Sequence, residues 1–335
     1  MIRSGGPGGL TPGQRTLRIG TRASALALWQ TEQVRARLAQ HGYDTERVEV
    51  RTTGDMVQDV PLAKIGGRAF FTKQLDDAML EGRIDVAVHS LKDLPTELPD
   101  GLVLAAVGLR EDARDALVAR DGLQWATLPG GAAVATSSLR RRAQLLRARP
   151  DLRVLDLRGN VDTRLAKLDR NGEWSAILLA AAGLVRLGLE GRISERLPFD
   201  VMLPAPGQGA LAATVRADDL VARDAVRRAL HDVSTELAVS AERGFLRRLE
   251  GGCQVPVGAH AEVHRDAERT VVRLRGRVVS LTGQDSAEGV RAGSVATAGE
   301  AEALGVALAE QVLAEGAGAI LRSIQAASVE PVSEP

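Results

Sequence analysis

Hydrophobic positions along the chain fall into short β-branched runs that alternate with longer stretches of helical spacing. Residues 17–20 predict a strand. A turn at 21–24 leads into an amphipathic helix in which Leu26, Trp29, Gln33 and Leu38 recur at helical spacing and Gly42 is the stop. Residues 48–51 predict a second strand, 71–81 a helix, and 84–88 (IDVAV) a short apolar run typical of a buried parallel strand. A related rhythm restarts with strands at 132–136, 153–157 and 176–179 and helices at 139–149 and 161–170. Alternation of this kind predicts α/β domains with largely parallel sheets. The character then changes. Residues 220–249 read as helical and charged, 257–263 and 271–280 as alternating antiparallel strands, and 300–315 as a closing helix, together a small α+β domain. The Gly/Pro-rich first 15 residues and the last dozen read as disordered tails.

Composition narrows the function. A chain of 335 residues has room for two or three domains at about 150 residues each. Its 43 basic and 43 acidic residues cancel, which argues against a field for gripping nucleic acid or an anionic membrane. Aromatic residues make up only 2%, so Leu, Val, Ile and Ala must build the core and stacking platforms for single strands are not expected. One cysteine, Cys253, can form neither an internal disulfide nor a Cys-rich metal site, as in a reducing compartment. Residues 1–15 lack an apolar h-region, and the stretch 174–185, read as the most lipid-like, has 12 residues, short of the roughly 20 that span a bilayer. These features predict a cytoplasmic location with no membrane partner. His260 and His264 lie on an expected strand rather than a helix face, so no metal site is expected. Gly66, Gly67 and the glycines of APGQGA lack a nucleotide-binding pattern.

Candidate chemistry gathers where strands run into helices. AVHSLKDLP places Lys92 and Asp93 at the end of an apolar strand, where ligands of open α/β sheets bind. Asp93 there is either an acid/base tuned by partial burial, with Lys92 and His89 beside it, or a cap on a turn. Only four of the 43 basic residues are lysines, which makes Lys92 less expected by chance. TSSLRRR joins a strand to a Ser N-cap, where backbone N–H groups favour anions and Arg140 and Arg141 add carboxylate recognition. Arg158 and Arg164 in RGNVDTR, Arg22 in IGTRAS, and Arg186 after an apolar strand–helix unit hold comparable places. Any one of them is also readable as a solvated arginine in an arginine-rich chain. Together they suggest a cleft for a ligand with several carboxylates or phosphates. Cys253 in EGGCQVPVG sits in a tight loop suited to a reactive thiol, as nucleophile or attachment point. The glycine-rich segment 52–70 reads as a lid or as a tolerated insertion.

These strings, with PLAKIGGRAFFTKQL, AAAGLVRLGL and LPAPGQGAL, closely resemble the porphobilinogen deaminase (hydroxymethylbilane synthase) family over about residues 17–322. The resemblance implies head-to-tail condensation of four porphobilinogen molecules into hydroxymethylbilane, with loss of ammonia, on a dipyrromethane cofactor, one per chain. It implies a thioether from the cofactor to Cys253 and an acid/base role for Asp93. It makes Ser90, Lys92, Thr136, Ser138, Arg140, Arg141 and Arg164 cofactor-binding, and Arg22, Ser24, Phe71, Arg158 and Arg186 substrate-binding. The implied fold has two α/β domains like type II periplasmic binding proteins, with mixed, largely parallel sheets, and a small C-terminal α+β domain. The boundaries are 16–108 plus a returning 209–227, then 109–208, then 228–323, between tails at 1–15 and 324–335. A monomer is expected. Arg68 stands where the family often has lysine and keeps the charge. Two rivals remain at this point: a non-enzymatic two-lobed binding protein, and a cysteine-nucleophile acyltransferase.

Overall fold

Among the described residues, two five-stranded sheets and one three-stranded sheet carry the fold. The computed structural model describes residues 15–51, 72–249, 255–266 and 269–329. They divide into two compact units. The first holds the described residues up to 51, those from 72 to Leu109, and Leu211–Asp232; the second holds Arg110–Ala210 and the chain from Val233 onward. The second unit thus takes in both the arginine-rich region and the C-terminal region that the sequence reading kept as separate domains.

In the first unit, β1 (Leu17–Thr21) pairs in parallel with β2 (Thr45–Glu49) and β3 (Val86–Ser90). The return strand β10 (Leu211–Arg216) then inserts antiparallel between β3 and β4 (Leu102–Val107). Strand alternation buries both faces, as a sheet covered on two sides requires. Val34 and Leu38 of the helix Ala25–Gln40 close one face with Ala222, Ala225 and Val226 of the helix Leu220–Leu230. Leu75, Ala78 and Met79 of the helix Lys73–Leu80 sit in a second cluster with Ile84 and Ala87. The buried stripe of the first helix is Gln30, Thr31, Val34 and Leu38, not the one through Trp29 and Gln33 expected from spacing. Arg15, read as tail, pairs with Asp85 and Asp219.

In the second unit, β6 (Ala133–Ala135) lies parallel to β7 (Arg153–Leu155) and β8 (Ala176–Ala180). Antiparallel β5 (Asp115–Ala119) and β9 (Glu195–Arg196) extend the sheet. Each five-stranded sheet therefore has two parallel and two antiparallel pairings, a mixed α/β fold. Further along, β11 (Val257–Arg265), β12 (Thr270–Val279) and β13 (Ser286–Ser294) form an antiparallel sheet. The helices Val233–Leu249 and Ala298–Val312 close its core around Phe245.

The helical stretch expected over 220–249 consists of two helices, Leu220–Leu230 and Val233–Leu249, which belong to different units. The break at His231 and Asp232 is where the chain crosses over, so the returning segment ends at Asp232 rather than at 227. At the C-terminus the helix Gly318–Val329 runs into residues read as tail. Residues 298–326 are also apolar enough over 18 residues to pass for a membrane span, a stretch the sequence reading did not single out. Ala301, Leu308, Ala309 and Val312 lie in the core, and the helical geometry breaks at Gly316 (φ 113°).

Candidate active site

The parallel pairing of β1 and β3 brings their C-terminal ends to one edge of the first sheet. After β1 the chain turns through Arg22 to Ser24, which caps the following helix by accepting from the Ala27 amide at 3.4 Å. After β3 a single 3₁₀ turn, Leu91–Asp93, buries Leu91 and turns Asp93 outward. Arg22, Ser24, Ser90 and Asp93 consequently line one pocket, together with Gln30, Thr72 and His89. Asp93 is exposed at this pocket, not partly buried as expected, because the apolar side of the turn is taken by Leu91. Lys92, on the same turn, is half-buried.

His89 is not a charged neighbour of Asp93. It is 6% exposed, and burial, reinforced by the charge of Arg22, pushes its imidazole down to about 4, so the ring is neutral at pH 7. Its Nε2 lies 3.1 Å from Thr214 Oγ1 on β10. Gln30 was missed by sequence reasoning. Its Nε2 donates to Ser90 Oγ at 2.8 Å from a buried position one turn beyond the helix start. Two adjacent polar residues, Gln30 and Thr31, on the helix face that continues through Val34 and Leu38 were the available signal.

The arginines of the second unit follow the same rule at β6, β7 and β8. Ser138 caps the helix Leu139–Ala148 by accepting from the Arg141 amide, and buried Thr136 Oγ1 accepts from the Ser138 amide at 3.3 Å. Arg140 and Arg141 do not face solvent at this helix start. They are 6% and 5% exposed and both close on Asp115 of β5. Burial by itself would raise the Asp115 carboxyl, but the two guanidinium groups hold it far below the usual carboxylate range. Gln208 Nε2 adds a bond to the same carboxylate at 3.0 Å. Asp115 was also missed; its signal was an acidic residue opening the apolar run ALVA.

Arg158 and Arg164 flank Gly159, whose φ of 116° suits glycine and where a Cβ would meet Thr163 at 2.7 Å. Arg164 Nε donates to the Gly159 carbonyl at 2.7 Å. Arg158 Nη1 is buried and has no hydrogen-bond partner among the described residues. Arg186 is half-buried, its guanidinium lowered by burial, and donates from Nη2 to the Gly209 carbonyl at 2.6 Å. Phe71, Cys253 and the segment 52–70 lie outside the described residues. Among the described residues no group of His, Cys, Asp or Glu could hold a metal.

An α/β protein that collects a carboxylate, hydroxyls and arginines at its strand ends belongs to the class that handles anionic small molecules. Two family models match the chain: porphobilinogen deaminase, dipyrromethane cofactor binding domain, over residues 17–224, and porphobilinogen deaminase, C-terminal domain, over 236–314. The chain is 49% identical to porphobilinogen deaminase of Geobacter metallireducens, over 92% of this chain and 95% of that one. It is 50% identical to that of Syntrophotalea carbinolica (92% and 96% covered) and 48% identical to that of Moorella thermoacetica (93% and 97% covered). Among solved structures it is similar to the methionine-binding protein MetQ, with 14% identity and a TM-score of 0.41 over 64% of this chain and 89% of that one. The chain belongs to the porphobilinogen deaminase family. It is thus a transferase of tetrapyrrole biosynthesis that condenses four porphobilinogen molecules head to tail into hydroxymethylbilane, releasing ammonia, on a dipyrromethane cofactor.

The second unit fits such a group. Two arginines share the single charge of Asp115, leaving one buried positive charge in excess, and Arg158 Nη1 is an orphaned buried donor. A ligand bearing several carboxylates would satisfy both.

Proposed function

We propose that the condensation is carried out by two sets of residues, with Asp93 as the acid/base. The observation that carries this reading is the convergence of Asp93 with Arg22, Ser24 and Ser90 in one pocket at the ends of β1 and β3. Porphobilinogen presents two carboxylates and an aminomethyl group, so its site needs cations and a carboxyl group together. Asp93, exposed at the pocket, can give a proton to the departing nitrogen. It then faces the remaining cation as a carboxylate, which stabilises that cation where its charge develops. Arg22 and Ser24 bind the substrate's carboxylates, with Arg158, Arg186 and Phe71 assigned to the same ligand class by the family resemblance. Ser90 is held in place by Gln30.

When bound, the dipyrromethane supplies the covalent primer to which pyrrole units are added. Cys253 is its attachment point. Ser90, Lys92, Arg164, Thr136 and Ser138 bind it, while Arg140 and Arg141, tied to Asp115, add the fixed excess of positive charge. Intact-mass measurement tests the reading. The wild-type chain should carry the mass of two linked pyrrole units and the Cys253→Ser chain none, with nearly all activity lost. A fully active Cys253→Ser chain would contradict it.

The same reading makes the protein a cytoplasmic monomer without nucleic-acid or membrane partners. Its balanced charge and single cysteine support this. Light scattering of the purified chain tests the monomer, and cell fractionation the location.

A further inference from the structure

Cys253 stands in sequence between the helix Val233–Leu249 and β11, so the placement of β11 governs where its loop returns. Gln144 reaches toward that strand from the helix carrying Arg140 and Arg141. It is 1% exposed, donates from Nε2 to the Leu203 carbonyl at 2.9 Å, and accepts at Oε1 from the Leu203 amide at 2.9 Å. The same Oε1 accepts from Arg277 Nη1 at 2.9 Å. Arg277, 1% exposed on β12, also donates to the Asp200 carbonyl at 3.1 Å and to Glu288 at 2.6 Å.

Leu203 is the meeting point. Its carbonyl accepts from Arg140 Nη1 at 2.7 Å as well as from Gln144. Gly258 of β11 lies directly against it: a methyl group there would come within 2.8 Å of Leu203 Cβ and 3.2 Å of Gln144 Nε2. The Ala259 amide donates to the Pro204 carbonyl at 3.0 Å. A fully buried guanidinium in a small sheet is costly to desolvate, and an apolar side chain of similar volume would fill the space with less penalty. What an apolar residue could not do is fix Gln144 and the Asp200 carbonyl in one geometry.

We propose that Gln144 and Arg277 are positioning residues that set the register between the strand leaving the Cys253 loop and the helix bearing Arg140 and Arg141, and so govern how fast the chain acquires its dipyrromethane. The proposal rests on the reading of Cys253 as attachment point.

Chain produced without porphobilinogen is given porphobilinogen and followed by intact mass. Gln144→Leu and Arg277→Met should slow the gain of two linked pyrrole units roughly tenfold, the size of one lost buried hydrogen bond. Gly258→Ala, whose methyl would crowd Leu203 and Gln144 Nε2 while leaving both hydrogen-bonding side chains in the sequence, should slow it as well. Arg248→Ala, which breaks an exposed pair with Glu310, should load at the wild-type rate. If Gln144→Leu does not fold, Arg277→Lys decides, because one ammonium cannot span Gln144 and Glu288 together. Folded variants with lowered Tm that load as fast as wild type would reduce both residues to structural roles and overturn the proposal. Mass gain in the Cys253→Ser chain would instead overturn the attachment reading, and the proposal with it.

Discussion

Arg141 grips one oxygen of Asp115 with two of its nitrogens, Nε at 2.9 Å and Nη2 at 2.7 Å, in the interior of the second unit. Arg140 binds the same carboxylate from its other side. Asp115→Asn keeps the shape but leaves two buried guanidinium groups facing a neutral amide. Removing one partner of a buried ion pair costs about 3–5 kcal/mol. Urea unfolding should show a loss of that order, and intact mass should show slowed cofactor loading. A loss under about 1 kcal/mol would mean that water reaches the site and screens the charges.

Asp93→Asn keeps the pocket's shape but can neither give up a proton nor carry charge. Turnover should fall by at least the roughly 10²–10⁴-fold typical of general acid/base work, with further loss from missing charge stabilisation. Asp93→Glu should retain a small measurable fraction and still acquire its cofactor. Steady-state rates on fully loaded chains give the comparison. Near wild-type turnover in Asp93→Asn would move the acid/base role to another residue.

Arg158 offers a buried, unpartnered donor, whereas Arg186 already donates to the Gly209 carbonyl. The two should therefore fail differently. Arg158→Leu should weaken binding of added units and let covalent intermediates accumulate, with little change in fold. Arg186→Leu should do the same and also lower Tm, because the Gly209 carbonyl loses one of its two donors among the described residues and keeps only the Glu111 amide. Mass spectra of the chain during turnover resolve the intermediates. A uniform rise in KM with no change in their pattern would contradict staged roles.

His89 gives the first unit a pH dependence of defined sign. Its folded value of about 4 lies below the ordinary 6.5, so the unfolded chain binds the proton more readily. The neutral ring's contribution is fully present above pH 6.5 and is lost progressively as pH falls toward 4, a change on the order of 3 kcal/mol. His89→Gln should flatten the curve of Tm against pH across that window. An unchanged slope would show that other groups cause the acid sensitivity.

Much of this molecule was legible in its sequence. The apolar runs before HSLKD and TSSLRRR, the serine caps and the arginines after each strand are local features, set by spacing of 2 or about 3.6 residues and by side-chain chemistry. Strands β4, β5, β9, β10 and β13 do not stand out as strands in the sequence. Their alternation is hidden when both faces are buried, as in β5 and β10, or when glycines interrupt the pattern, as in β13. The split at His231 and Asp232 was hidden too, because two helices with similar amphipathic faces look continuous until each finds its own core.

The sequence by itself determined which residue types stand at which strand ends, and through the family resemblance it determined the reaction. Only the tertiary structure decided how those charges are used. Arg140 and Arg141 look alike in a string with Arg158, yet they are turned inward because Asp115, 25 residues upstream of Arg140, is folded beneath them. Asp93 and Gln30 share a pocket because β1 and β3 pair in parallel, although they are distant in the chain. Local patterning specifies strands and helices through backbone sterics and caps. Which buried charge meets which partner depends on long-range packing, and that is fixed only when the sheets assemble.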